Sequence, residues 1–132
     1  MDKPALRSLY DEIGAEKIEE IVNAFYPKVY ADPVLIPIFT GDVGEIMMKQ
    51  KMFLTQFTGG PTLYSNRYGH PRMRARHLPH EITPKRADRW LACMKEAFEE
   101  VGLANTLAGD AFYERLTQVA AIMVNSDDEQ VF

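Results

Sequence analysis

The chain has 132 residues, 46% apolar and 26% charged, with a formal net charge of −4; these values suit one globular domain spanning residues 1–132. The acidic balance argues against a nucleic-acid partner, which favours a basic surface, and no apolar run approaches the roughly 18 residues of a membrane span. The N-terminal stretch has no apolar core of signal-peptide length and the lone Cys93 fits a reducing compartment, so a cytoplasmic protein is expected.

The pattern is helical almost throughout. Leu6, Leu9, Tyr10 and Ile13 share one face, and Gly14 stops that segment. Ile18, Ile21, Val22, Phe25, Tyr26 and Val29 then recur at helical spacing, with Glu16, Lys17, Glu19 and Glu20 on the other side. Pro27 lies inside this second helix, removes the bond back to Asn23, and is expected to kink or split it there. Asp32-Pro33 marks a turn, and Pro37 breaks the short apolar piece 34–39. Asp42 and Glu45 are spaced as a capping box. The helix behind them carries Ile46, Gln50, Phe53, Leu54 and Phe57, and Gly59-Gly60-Pro61 ends it.

Residues 61–73 read as loop, and a short helical piece of roughly 72–78 leads into Pro79. Thr83-Pro84 reads as a cap plus a first-turn proline. It opens a helix with Ala87, Trp90, Leu91, Met94, Ala97, Phe98 and Val101, which Gly102 stops. The last helix carries Phe112, Leu116, Val119, Ala120, Met123 and Val124. Nothing reads as a strand, so the class is all-α, with two long C-terminal helices joined by a short connection and therefore antiparallel.

Three polar groups interrupt these apolar faces. Gln50 shares its face with Ile46, Phe53, Leu54 and Phe57; an unpaired buried amide costs about 1–3 kcal/mol, so it needs a protein partner or a ligand. Tyr26 brings a hydroxyl and Trp90 an indole N–H, and both kinds of group usually find a partner when buried. Each could be satisfied separately. Three of them on three helices look like donors converging on a small cavity.

The three histidines, His70, His77 and His80, fall within eleven positions. Imidazole is a common ligand for a metal or for haem iron. The spacing, the single cysteine and the lack of an acidic partner in this run do not suit zinc. His70 and His80 read as loop and capping residues. Pro79 stops the helix that carries His77, so this imidazole can project between helices; on position alone a ligand role and a structural role stay open. Lys49 and Arg76 directly precede Gln50 and His77, where they can meet an anionic group at a pocket mouth. Cys93 and the methionines read as core filler.

Three blocks in this order carry a family resemblance. They are Gln50-Lys-Met-Phe-Leu-Thr-Gln-Phe-Thr-Gly-Gly-Pro, Tyr68-Gly-His-Pro-Arg-Met-Arg-Ala-Arg-His-Leu-Pro and Trp90-Leu-Ala-Cys-Met. From about Leu9 to Asn125 the chain resembles the group II truncated haemoglobins, small bacterial globins. The resemblance implies a two-over-two helical sandwich around haem b. It makes His77 the proximal iron ligand, Tyr26 the distal tyrosine, Gln50 the polar residue of the distal helix and Trp90 the tryptophan typical of the group. It sets Phe39 against the haem, Phe53 and Leu54 on the distal wall, Met94 in the haem pocket, and Lys49 and Arg76 near the propionates. Ile46 stands where many globins carry a distal histidine. The chain departs from the family in having Gly14-Ala15 where a Gly-Gly pair is common, and in having Pro27 directly after the distal tyrosine.

The function so implied is reversible, high-affinity binding of dioxygen and other diatomic ligands, with Tyr26, Trp90 and Gln50 as hydrogen-bond donors that slow oxygen release. The alternative is an enzyme, peroxidase-like or turning oxygen and nitric oxide into nitrate, supplied with electrons by a separate reductase. A monomer or a homodimer is expected.

Overall fold

The computed structural model describes residues 8–70 and 81–126. Among the described residues the helices are α1 (Leu9–Ile13), α2 (Ala15–Tyr30), α3 (Val43–Phe57), α4 (Leu63–Tyr68), α5 (Pro84–Glu100) and α6 (Leu107–Met123), with a 3-10 turn at Ile36–Ile38. The Ser8 hydroxyl accepts from the Asp11 amide and the Asp11 carboxylate accepts from the Ser8 amide, both at 3.1 Å. This reciprocal cap starts α1 at Leu9; Leu6 lies outside the described residues. Gly14 takes φ +83°, a conformation that residues with a Cβ avoid. One glycine thus suffices to turn the chain from α1 directly into α2.

Of the two expected outcomes at Pro27, a kink or a split, the split does not occur: α2 is one helix from Ala15 to Tyr30. Pro27 and Asn23 are both exposed, so the carbonyl that loses its bond faces water. The opposite face is buried at Ile18, Ile21, Val22, Phe25, Tyr26 and Val29 and is held by α3 and α5. Burying each large apolar side chain contributes about 1.5–3 kcal/mol. Their sum outweighs the roughly 3 kcal/mol of an internal proline. The Ala31 amide then bonds the Pro27 carbonyl at 3.1 Å.

Asp42 caps α3, accepting from the amides of Gly44 at 2.8 Å and Glu45 at 3.3 Å. The return half of the expected box is replaced: the Glu45 carboxylate lies 3.5 Å from Lys49 Nζ. α4 occupies residues read from the sequence as loop. Its first turn is satisfied from α3, where Gln56 accepts from the Ser65 amide at 2.9 Å and donates to the Ser65 hydroxyl at 2.7 Å. Thr83 caps α5, accepting from the Arg86 amide at 3.1 Å, with Pro84 in the first turn.

The sandwich has two layers. α2 packs on α3, α5 packs on α6, and α2 crosses onto α5. Phe25, Phe112, Ile18, Ile21, Leu54, Met94 and Leu116 are fully buried between them. Beyond α6, Asn125 brackets Ile82: its amide donates to the Ile82 carbonyl, and its Oδ1 accepts from the Ile82 amide, both at 2.9 Å. This bracket ties the strap after α6 to the entry of α5.

Candidate functional site

A cavity of about 410 Å³ opens between the layers, within the range usual for small-molecule and cofactor sites. Its lining includes Tyr26 from α2, Phe39 from the turn, Ile46, Lys49, Gln50 and Phe53 from α3, and Trp90 from α5. With Met123 of α6 also in the lining, residues as much as 97 positions apart in the chain are thereby brought together. Met94 is fully buried in the core and is not among the lining residues. Arg76, His77 and His80 lie outside the described residues, while His70 is exposed at the end of the segment before them.

The polar groups are set by aromatic packing. The Phe25 ring meets the Tyr26 ring edge-on at 5.0 Å and the Trp90 ring edge-on at 5.4 Å, so one buried phenylalanine spaces both donors. The Phe39 ring stands at 84° to Tyr26 with centroids 6.1 Å apart. Among the described residues the side chains of Tyr26, Gln50 and Trp90 have no hydrogen-bond partner in the protein; all three line the cavity. Burial pushes the Tyr26 phenol well above its ordinary pKa, and the neighbouring Tyr30 phenol pushes it the same way. Tyr26 therefore stays protonated, a donor, across the physiological range.

Two cations line the cavity, Lys49 and Arg86, and no carboxylate does among the described residues. Lys49 Nζ also lies 5.1 Å from the centroid of the Tyr68 ring, a cation–π distance. Arg86 is braced by the Val34 carbonyl at 3.2 Å and the Glu81 carbonyl at 2.5 Å. Sequence reasoning passed over Arg86, although it sits one helical turn before Trp90 on the same face. Leu116, Val119, Ala120 and Met123, which read as an ordinary apolar helix face, line the cavity from α6. Their spacing is that of any apolar helix face, so nothing in it separates a core from a cavity wall.

A helical sandwich with an apolar cavity between its layers, edged by donors and cations, is the architecture of a globin. A family model for bacterial-like globins matches residues 8–125. The chain is 46% identical over 121 residues to group 2 truncated hemoglobin YjbI of Bacillus subtilis, covering 92% of this chain and 91% of that protein. The crystal structure of the group II truncated hemoglobin from Bacillus anthracis superposes with a TM-score of 0.90 at 45% identity, over 97% of each chain. The truncated oxygen-avid haemoglobin from Bacillus subtilis superposes with a TM-score of 0.86 at 47% identity, over 90% of this chain and 100% of that one. The chain belongs to the bacterial-like globin family, among the group II truncated haemoglobins. Its cofactor is haem, and it is an oxygen-binding globin.

The cavity fits that cofactor. Phe39, Phe53 and Leu116 supply apolar surface for a macrocycle, and Lys49 and Arg86 supply positive charge for its carboxylates. The unpaired donors face the same space.

Proposed function

We propose that this globin retains dioxygen with high affinity through a donor set of Tyr26, Gln50 and Trp90, with His77 as the iron ligand. The observation that carries the donor set is that α2, α3 and α5 each bring one donor to a single cavity, where none has a protein partner among the described residues. Once a cofactor fills the cavity and excludes water from it, leaving such groups unpaired would cost about 1–3 kcal/mol each, which a ligand with partial negative charge offsets. Haem, once bound, supplies an iron whose sixth position takes a diatomic ligand.

The protein's part is orientation and exclusion of water. Phe25 holds the rings of Tyr26 and Trp90 apart, and Gln50 reaches the cavity from α3. Ile46, Phe53 and Phe39 keep the surroundings apolar. In such a dry site a charge-assisted hydrogen bond is stronger than in water. Two donors at about 1.5 kcal/mol each slow ligand release roughly a hundredfold. Lys49 and Arg86 hold the cofactor's carboxylates, and Arg76 adds to them. The Bacillus anthracis protein has also been solved as Tyr26Ala and Trp90Leu variants; the same residue types carry those numbers here.

None of the helices among the described residues is long and apolar enough to cross a membrane. The free, buried thiol of Cys93 supports a cytoplasmic, reducing setting. A separate reductase would be a partner only for the enzymatic alternative, and the protein works as a monomer or homodimer. The test is the oxygen dissociation rate of the ferrous protein: slow release that Trp90→Phe accelerates supports the donor set, and indistinguishable rates remove Trp90 from it.

A further inference from the structure

Tyr30 closes α2 one helical turn after Tyr26. Its hydroxyl oxygen is buried and has no hydrogen-bond partner. The Tyr30 ring lies 6.3 Å from the Tyr26 ring at 36°, and 6.3 Å from the Phe39 ring at 63°. Tyr26 and Phe39 line the cavity and Tyr30 does not, so Tyr30 stands behind the cavity wall that those two rings form. Of the two rings it packs against, only Tyr26 carries a polar atom.

A buried hydroxyl without a partner is rare, because folded proteins nearly always pair such groups directly or through water. Tyr26 and Tyr30 lie four positions apart on one face of α2 with their rings 6.3 Å apart and only 36° from parallel, so the two phenols are neighbours. They make no direct hydrogen bond. A single water can bridge two polar groups beyond direct reach where the site has room for it.

We propose that Tyr30 is a positioning residue for the ligand donor Tyr26, acting through one water. The Tyr30 O–H donates to that water, and the water donates to the Tyr26 oxygen. Tyr26's lone pair is then occupied and its own O–H is left for the ligand. Donors in such a chain polarise one another, so the terminal donor is strengthened. This inference rests on Tyr26 being a ligand donor.

The chain should distinguish ligands by charge. Dioxygen, with partial negative charge on its outer atom, gains from a stronger Tyr26 donor; carbon monoxide, nearly apolar, gains little. The experiment measures oxygen and carbon monoxide dissociation rates for the ferrous holoprotein, Tyr30→Phe, Tyr26→Phe and the double variant. Tyr30→Phe is expected to release oxygen about three- to tenfold faster, with the carbon monoxide rate changed less than about twofold. In the Tyr26→Phe background the further change to Phe at 30 should have no effect.

Equal acceleration of both ligands by Tyr30→Phe would mean looser packing and would overturn the proposal. So would an unchanged oxygen rate in Tyr30→Phe beside a faster one in Tyr26→Phe, which leaves the donor role of Tyr26 standing. An unchanged rate in Tyr26→Phe itself removes both. The unfolding midpoint gives an independent readout. If the hydroxyl is unpaired, Tyr30→Phe raises the midpoint, because it deletes an unsatisfied group; if it holds the water, the midpoint falls or stays level.

Discussion

Arg89 donates through Nε to the Asp32 carboxylate at 2.7 Å, tying the helix residue before Trp90 to the turn two residues after Tyr30. The pair joins the C-terminal end of α2 to α5. It thereby sets the helices that bring Tyr26 and Trp90 to one cavity. Asp32 is itself buried and also accepts from the Val34 amide at 2.9 Å.

The hydrogen bond from Arg89 holds the Asp32 carboxyl below its ordinary pKa. A carboxyl whose folded-state pKa is depressed contributes stability that is fully present above its unfolded pKa. That contribution is lost as pH falls through the folded value. Asp32→Asn should therefore be less stable than the parent near neutrality, and the difference should shrink on acidification below the ordinary carboxyl pKa. Urea unfolding of the holoprotein between neutral and acidic pH checks this. A gap that stays constant with pH would assign the effect to lost packing.

Removing single donors should speed oxygen release. Tyr26→Phe, Trp90→Phe and Gln50→Leu each delete one hydrogen bond of about 1.5 kcal/mol, which corresponds to roughly a tenfold faster rate. Stopped-flow mixing of the oxygenated protein with a reductant measures it. The carbon monoxide rate serves as the control, because it responds weakly to donors.

Retention of haem should depend on the cavity's cations. Lys49→Met and Arg86→Met each remove a partly exposed charge, and such pairs are worth at most about 1 kcal/mol. Haem transfer to an excess of apomyoglobin should accelerate about two- to fivefold for each. His77→Ala should abolish the Soret band of the purified protein; a retained band with unchanged position would remove His77 as the ligand.

Gly109 lies in the first turn of α6, where an added Cβ would sit 1.9 Å from the Leu103 carbonyl oxygen. That carbonyl already accepts the Thr106 hydroxyl at 2.7 Å and cannot easily withdraw. Gly109→Ala should cost about 1–3 kcal/mol or more, lowering the melting temperature by roughly 4–12 °C. Gly44→Ala is the contrast. Its Cβ would meet, at 3.2 Å, the Asp42 oxygen that caps α3, so the gain in helix propensity from alanine is offset by a displaced cap and the change should be close to neutral.

The helical class, the caps at Asp42 and Thr83 and the turn at Gly14 could be read from the residues, because periodicity and capping are local properties. So could the suspicion attached to Tyr26, Gln50 and Trp90, since a polar group on an apolar stripe stands out without coordinates. The assembly of those three into one cavity was not legible, because it depends on how α2, α3 and α5 pack. For the same reason α4 is not legible as a helix: its first turn is satisfied by Gln56 of another helix, nine residues away from Ser65. That α2 is not split at Pro27 is likewise not legible, because the local penalty is visible in the sequence, whereas the buried face that outweighs it is a tertiary property. Arg86, Leu116 and Met123 as cavity wall, and Tyr30 as a hydroxyl behind it, emerge only from the fold, because a helix face carries no mark of whether side chains or a cofactor will lie against it.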